Sequence, residues 1–250
     1  MTLQSIIMKK MDRGEADEIV IFLSRENGWL TGVAKNSRKS RVRFGGHIEP
    51  LCLVEIVARP RRKDTLIWID EAHMSRGFLK IRGDMELVAR ASYFLELASV
   101  FLPEGQADQN VFDFLVRFLE SLDKSRPSPI ELLIQEIQLL DILGYRPVFD
   151  RCPVCGQDFS TNNEANFSPY MGGLCHKTCI DVKSASNILM SPATVAASRH
   201  LLNSDSRLAG RIKLSRTAQK EIRESLSAFV RYLRGDDLKS LNFMEQVGYV

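Results

Sequence analysis

The chain has 250 residues, 44% hydrophobic and 26% charged, and its 34 Lys and Arg against 31 Asp and Glu give a formal net charge of +3. That balance is ordinary for a globular protein able to bury a real core, in one large domain or in two or three small ones. The sequence shows no low-complexity segment and no repeat at a solenoid period, and no apolar run approaches the roughly 20 residues that cross a bilayer. The mild net charge does not itself call for a polyanion partner, so its distribution along the chain decides.

Residues 1 to about 80 read as β. Leu3 to Met8, Glu18 to Ser24, Gly28 to Ala34, Leu51 to Ala58 and Thr65 to Ile69 are short runs rich in Val, Ile, Leu and Phe, with no helical period between them. Arg25-Glu26-Asn27 reads as a hairpin turn. Short strands at this spacing fit a small closed barrel, because closure removes exposed edges. Cys52 falls among apolar neighbours and reads as a buried small hydrophobe.

Charge in this region is uneven. Lys35, Arg38, Lys39, Arg41 and Arg43 occur within nine residues that contain no acid. A second basic group, Arg59, Arg61, Arg62 and Lys63, separates the fourth and fifth strands. Two such loops on one barrel can track a phosphate backbone, releasing counterions as they neutralise it. Trp29 and Phe44 are candidate platforms for base stacking, with the core as the competing place and the favoured one for Trp29.

From Gly83 the period becomes helical. Asp84 to Leu102 and Val111 to Leu122 carry apolar residues at three- and four-residue steps. Ser128-Pro129 with Glu131 is a capping sequence that opens Pro129 to Leu143, which is apolar on most sides and predicts a central helix. Ser191-Pro192 opens another helix to about Leu202. Ser215 or Thr217 starts a last long one that ends at Gly235-Asp236-Asp237. The tail from Leu238 to Val250 keeps Leu241, Phe243, Met244 and Val247, so it is expected to dock on the bundle.

Between these helices lie C-P-V-C-G and L-C-H-K-T-C. Cys152 and Cys155 are separated by two residues, Cys175 and Cys179 by three, and all four fall within 28 residues. Two tight turns, each aiming two thiolates at one point, meet the need of a tetrahedral zinc ion. Pro153 stiffens the first turn and Gly156 suits the positive φ it requires. His176 is an alternative ligand. Four thiolates leave no open position, so the expected ion is a single structural Zn2+. Disulfides are the competing reading. Met1 to Lys10 shows no apolar signal core, which makes the cytoplasm the expected location and thiolates the expected state.

No G-x-x-x-x-G-K-[ST], G-x-G-x-x-G, G-x-S-x-G or H-E-x-x-H is present, and His47, His73, His176 and His200 are scattered. A non-enzyme is therefore expected. A zinc-stapled enzyme, such as a deacylase or nucleotidyl transferase, and a protein-interaction adaptor remain as competitors.

The order of parts resembles the RecO family of bacterial DNA repair and recombination proteins. Gly14 to Ser40 (G-E-A-D-E-I-V-I-F-L-S-R-E-N-G-W-L-T-G-V-A-K-N-S-R-K-S) is similar to that family's opening barrel. C-P-V-C-G following G-Y-R-P (Gly144 to Pro147) matches its later order. The spacing of three before Cys179, where two is usual, is a departure. The resemblance implies an OB-fold, a helical domain and a zinc module. It also implies binding of single- and double-stranded DNA, annealing of complementary strands, and no membrane association. With RecR, and through the acidic C-terminal tail of single-strand-binding protein, it implies loading of recombinase onto coated DNA. Arg117, Lys124 and Arg126 are candidates for gripping that tail.

The expectation is an α+β protein. It has a five-stranded OB-fold barrel over 1–80, a helical domain over 81–150 and 181–250, and an inserted four-cysteine zinc module over 151–180. Lys177 is the sole Lys or Arg between the outer cysteines. The module thus reads as a staple, with DNA contact assigned to the barrel.

Overall fold

A computed structural model describes residues 1–60, 66–159, 164–180 and 186–248, with backbone alone for 206–208. Its contacts divide it into two compact units, Met1–Arg126 with Lys239–Val250, and Pro127–Leu238.

The first unit is built on five strands: β1 (Thr2–Arg13), β2 (Asp17–Ser24), β3 (Gly28–Ala34), β4 (Leu53–Pro60) and β5 (Ile67–Arg76). They close in the order β1-β2-β3-β5-β4, with β3 and β5 parallel and every other pair antiparallel. This is the expected OB-fold barrel. Inward positions alternate along each strand, and Val20, Phe22, Ala34, Val54, Ile56, Ile67 and Ile69 fill the interior with Phe44, Ile48 and Cys52 from the 35–52 connection. Cys52 is fully buried, as its neighbours in the sequence imply.

β1 outruns the apolar segment that announces it. A register shift between Ile7 and Lys9 lets the polar stretch to Arg13 go on pairing with β2. β4 starts later than expected, because Leu51 turns the chain at φ 63 and donates its N–H to Ile7 O at 2.8 Å.

Gly28 marks a close approach. Its φ is +70, and a Cβ there would lie 2.0 Å from the Gln106 carbonyl oxygen. The returning chain is held by Gly105 N–H donating to Trp29 O at 3.1 Å. Trp29 is 5% exposed, so it is a packing residue and its candidacy for stacking falls. Phe44 is 2% exposed inside the barrel, which corrects its assignment as a base platform.

After the barrel come α1 (Leu79–Arg82), α2 (Met85–Phe101) and α3 (Gln109–Lys124), which pack on one another. Asp84 and Asp108 cap α2 and α3 by accepting from the second and third helical N–H groups. The apolar stripe of α3 is buried, and Phe118 stacks on Phe94 of α2 at 4.0 Å between ring centroids. The tail forms α7 (Lys239–Val247) on α2. Its first amides, Lys239 N–H and Ser240 N–H, donate to the Glu96 carboxylate at 3.1 and 2.8 Å.

The second unit contains α4 (Pro129–Ile142), a small sheet of β6 (Ala165–Ser168), β7 (Gly173–Cys175) and β8 (Ile188–Met190), then α5 (Pro192–Leu202), a 3-10 turn and α6 (Arg216–Arg234). Ser128, Ser191 and Ser215 each accept from an N–H three residues on, and Pro129 and Pro192 follow two of these caps. α4 packs against α5, α6 and the 3-10 turn, the central place its all-round apolar surface predicts. No described helix is long and apolar enough to cross a membrane.

Candidate metal centre and nucleic-acid interface

The first cysteine turn is closed by Cys152 N–H donating to Gln157 O at 2.9 Å and by Gly156 N–H donating to Cys152 O at 2.8 Å. Gly156 sits at φ +74, the left-handed conformation the turn requires. The second turn is closed by Cys179 N–H on His176 O at 2.9 Å. Together these turns bring the ligand atoms of Cys152, Cys155, His176 and Cys179 within 4.8 Å of one another. Cys155 Sγ lies 3.4 Å from His176 Nδ1. Phe159 packs on the imidazole with ring centroids 4.5 Å apart and planes tilted by 37°.

Cys175 stands outside that quartet. It ends β7, fully buried, with its thiol directed to the Gly173 carbonyl at 3.7 Å. Burial and then the neighbouring Cys152 sulfur push the Cys175 thiol up to about 12. Cys152 behaves oppositely and is drawn down to about 6. Burial opposes its ionisation, but the amide N–H groups of Cys155, His176 and Val154 point at its sulfur and prevail. A buried thiolate held by backbone N–H groups, beside two more thiols and an imidazole, fits a divalent zinc ion in donor type and number. Free cysteines in all five positions leave no disulfide among them.

The basic segment is a folded surface. Asn36 turns it at φ 54 and donates its N–H to Asp17 Oδ1 at 2.8 Å, while its carbonyl accepts from Lys39 and Ser40. Arg38 N–H reaches Ala16 O at 3.2 Å. Phe44 and Ile48 anchor the far end in the barrel. Lys35, Arg38, Lys39 and Arg41 are left exposed, and Arg43 half-buried across the Phe44 ring with Nη2 donating to Lys35 O at 3.0 Å. The acid-free reading of the sequence misses Asp12 of β1, which pairs with Arg38 at 3.3 Å. Among the described residues no ion pair involves Lys39 or Arg41. Arg59, at the end of β4, pairs with Asp70 of β5 at 3.1 Å. Arg61, Arg62 and Lys63 lie outside the described residues.

One outward aromatic residue is passed over in the sequence. Trp68 alternates with the inward Ile67 and Ile69 and so faces outward, with Lys35 Nζ 4.5 Å from its ring centroid. The alternation of β5 was the available cue, but its first residues resemble a buried run.

Residues 1–78 match the family model described as recombination protein O N terminal, and residues 82–242 match its C-terminal counterpart. The chain belongs to the RecO family. It is 31% identical over 246 residues to the DNA repair protein RecO of Anaeromyxobacter dehalogenans strain 2CP-C, covering 98% of this chain and 96% of that one. The RecO of Dehalococcoides mccartyi is likewise 31% identical over 98% of this chain and 94% of its own. That of Syntrophus aciditrophicus is 28% identical over 98% and 95%. The RecO family is one of DNA repair and recombination.

Proposed function

We propose that this chain is a recombination mediator that binds DNA through its barrel and acts without catalysing a covalent step. The observation that carries this reading is the 35–43 segment, a fixed turn anchored by Phe44 that presents exposed cations along one rim of an OB-fold. Contacts of this kind neutralise phosphates without reading bases, so they serve any sequence, as repair requires. Both single and double strands would be held, and complementary strands annealed, because cations on one surface lower the repulsion between two backbones. Loading of recombinase onto coated DNA would proceed with RecR and with the acidic tail of single-strand-binding protein. Arg117 and Lys124 are exposed on α3, whereas Arg126 is engaged by Asp84 and Glu86. The first two are therefore the better candidates for that tail.

The metal site would hold one structural Zn2+ through Cys152, Cys155, Cys179 and His176. Bound there, the ion supplies folding energy to a segment with few apolar residues of its own. The protein would work in the bacterial cytoplasm, on the nucleoid.

The test replaces Arg38, Lys39, Arg41 and Arg43 with Ala and follows single-strand binding against salt. Affinity is expected to fall, with the slope of log affinity against log salt reduced by about 0.7 for each phosphate that is no longer neutralised. An unchanged affinity and slope would reject this surface and favour a protein-interaction adaptor.

A further inference from the structure

We infer that Trp68 is a stacking platform for an unpaired base, flanked by Lys35 and Arg59 as phosphate contacts. The inference rests on the DNA-binding reading above and deepens it.

Strand register makes the case. Arg59 of β4 is paired with Trp68 of β5, and Trp68 with Val33 of β3. Paired residues of neighbouring strands share a face, and Ile67 and Ile69 on either side of Trp68 point into the barrel. Trp68 and Arg59 therefore stand on one outer wall, and Lys35 leaves β3 two residues beyond Val33 to reach over the indole. Val33, beside Trp68 on that wall, is apolar and covered at 1% exposure, while Trp68 itself keeps part of its surface open.

A cation, an indole and a second cation across three adjacent strands match the alternating chemistry of a single strand, whose flat bases hang from charged phosphates. Arg59 Nε donates to both Asp70 oxygens at 3.1 Å, which holds the guanidinium on the same outer wall, where a phosphate can share it. Lys35 now lies over the indole face at 4.5 Å. A stacking base would replace it there and leave the ammonium for the adjoining phosphate, so ring and cation act in turn on one nucleotide. A duplex keeps its bases paired and cannot use the ring. The site thus adds affinity for single strands alone, on top of a basic surface that serves both.

The full chain offers a direct readout, because its tryptophans are Trp29 and Trp68 and the former is buried. Oligothymidylate labelled with a fluorophore is titrated with the protein while anisotropy and tryptophan emission are followed together. Binding is expected to quench emission in the native chain, and Trp68→Phe, which keeps an aromatic ring in the wall, is expected to abolish the quench. Trp68→Ala is expected to weaken single-strand affinity roughly tenfold, with the salt slope and duplex affinity unchanged. A quench that persists in Trp68→Phe belongs to Trp29 and overturns the inference. So does equal binding by Trp68→Ala, or an equal loss of duplex affinity, which would mark a structural role. If the native chain shows no salt-sensitive binding at all, the DNA-binding reading itself fails, a result distinct from these.

Discussion

Arg25, in the β2–β3 turn, forks onto Asp113 of α3: Nε donates to Oδ1 at 3.0 Å and Nη2 to Oδ2 at 3.1 Å. Two parallel bonds fix a guanidinium more firmly than a single contact. The Arg25 hydrogen bond, with its charge behind it, holds the Asp113 carboxyl below the usual range. A carboxylate depressed on folding adds stability above its unfolded value, near pH 3.9, and loses it as pH falls through the folded value. Asp113→Asn should therefore melt below the native protein at pH 7. The gap should close as pH falls below about 4. Thermal melts across pH check this, and a gap constant down to pH 2 would rule the pair out as its source.

Phe44 links the basic segment to the barrel interior. Phe44→Ala should lower the unfolding free energy by about 3–5 kcal/mol, the usual cost of emptying a buried phenyl site. It should also expose the 35–43 backbone to amide exchange, where Asn36 and Arg38 now hold it to the β1–β2 turn. Urea titration measures the first effect and hydrogen exchange the second. Full retention of both would show that the segment is held from elsewhere.

Gly28 has no room for a methyl group and occupies a conformation that L side chains avoid. Gly28→Ala should cost about 1–3 kcal/mol from the backbone alone, with the Gln106 contact adding to it. The same substitution at Gly14, where φ is +66 and nothing lies within 4 Å of the added atom, should cost less. Denaturant midpoints of the two variants separate steric from conformational strain.

For the metal, elemental content of purified protein should be near one zinc per chain. Cys152→Ser should abolish it, and a chelator should lower the melting temperature of the native protein. His176→Ala should reduce zinc well below one, while Cys175→Ala should keep it. The reverse result would give the fourth position to Cys175.

That last contrast shows where the sequence stops being legible. Spacing identifies a ligand cluster, because close cysteine pairs recur at tight turns. It does not say which of two adjacent residues turns inward, since Cys175 ends a strand and His176 begins the turn after it. Likewise, strand content up to residue 80 is plain in the apolar runs. Yet the outer half of β1, whose Lys9, Lys10 and Asp12 look like a loop, joins the barrel through backbone pairing that leaves no apolar signature. Phe44 ends a basic run and so looks like part of it. Burial is a tertiary property, and only the closure of the barrel decides that Phe44 enters and Trp68 stays out.

The first unit joins segments far apart in the sequence: Leu241 and Met244 are buried within it, on the helix that Glu96 caps. During synthesis the barrel and α2 emerge from the ribosome first, but the face of α2 that receives α7 stays bare until all of Pro127–Leu238 has been translated. A nascent chain halted inside the second unit therefore carries the barrel with α2 packed on α1 and α3 but bare on the face that receives α7.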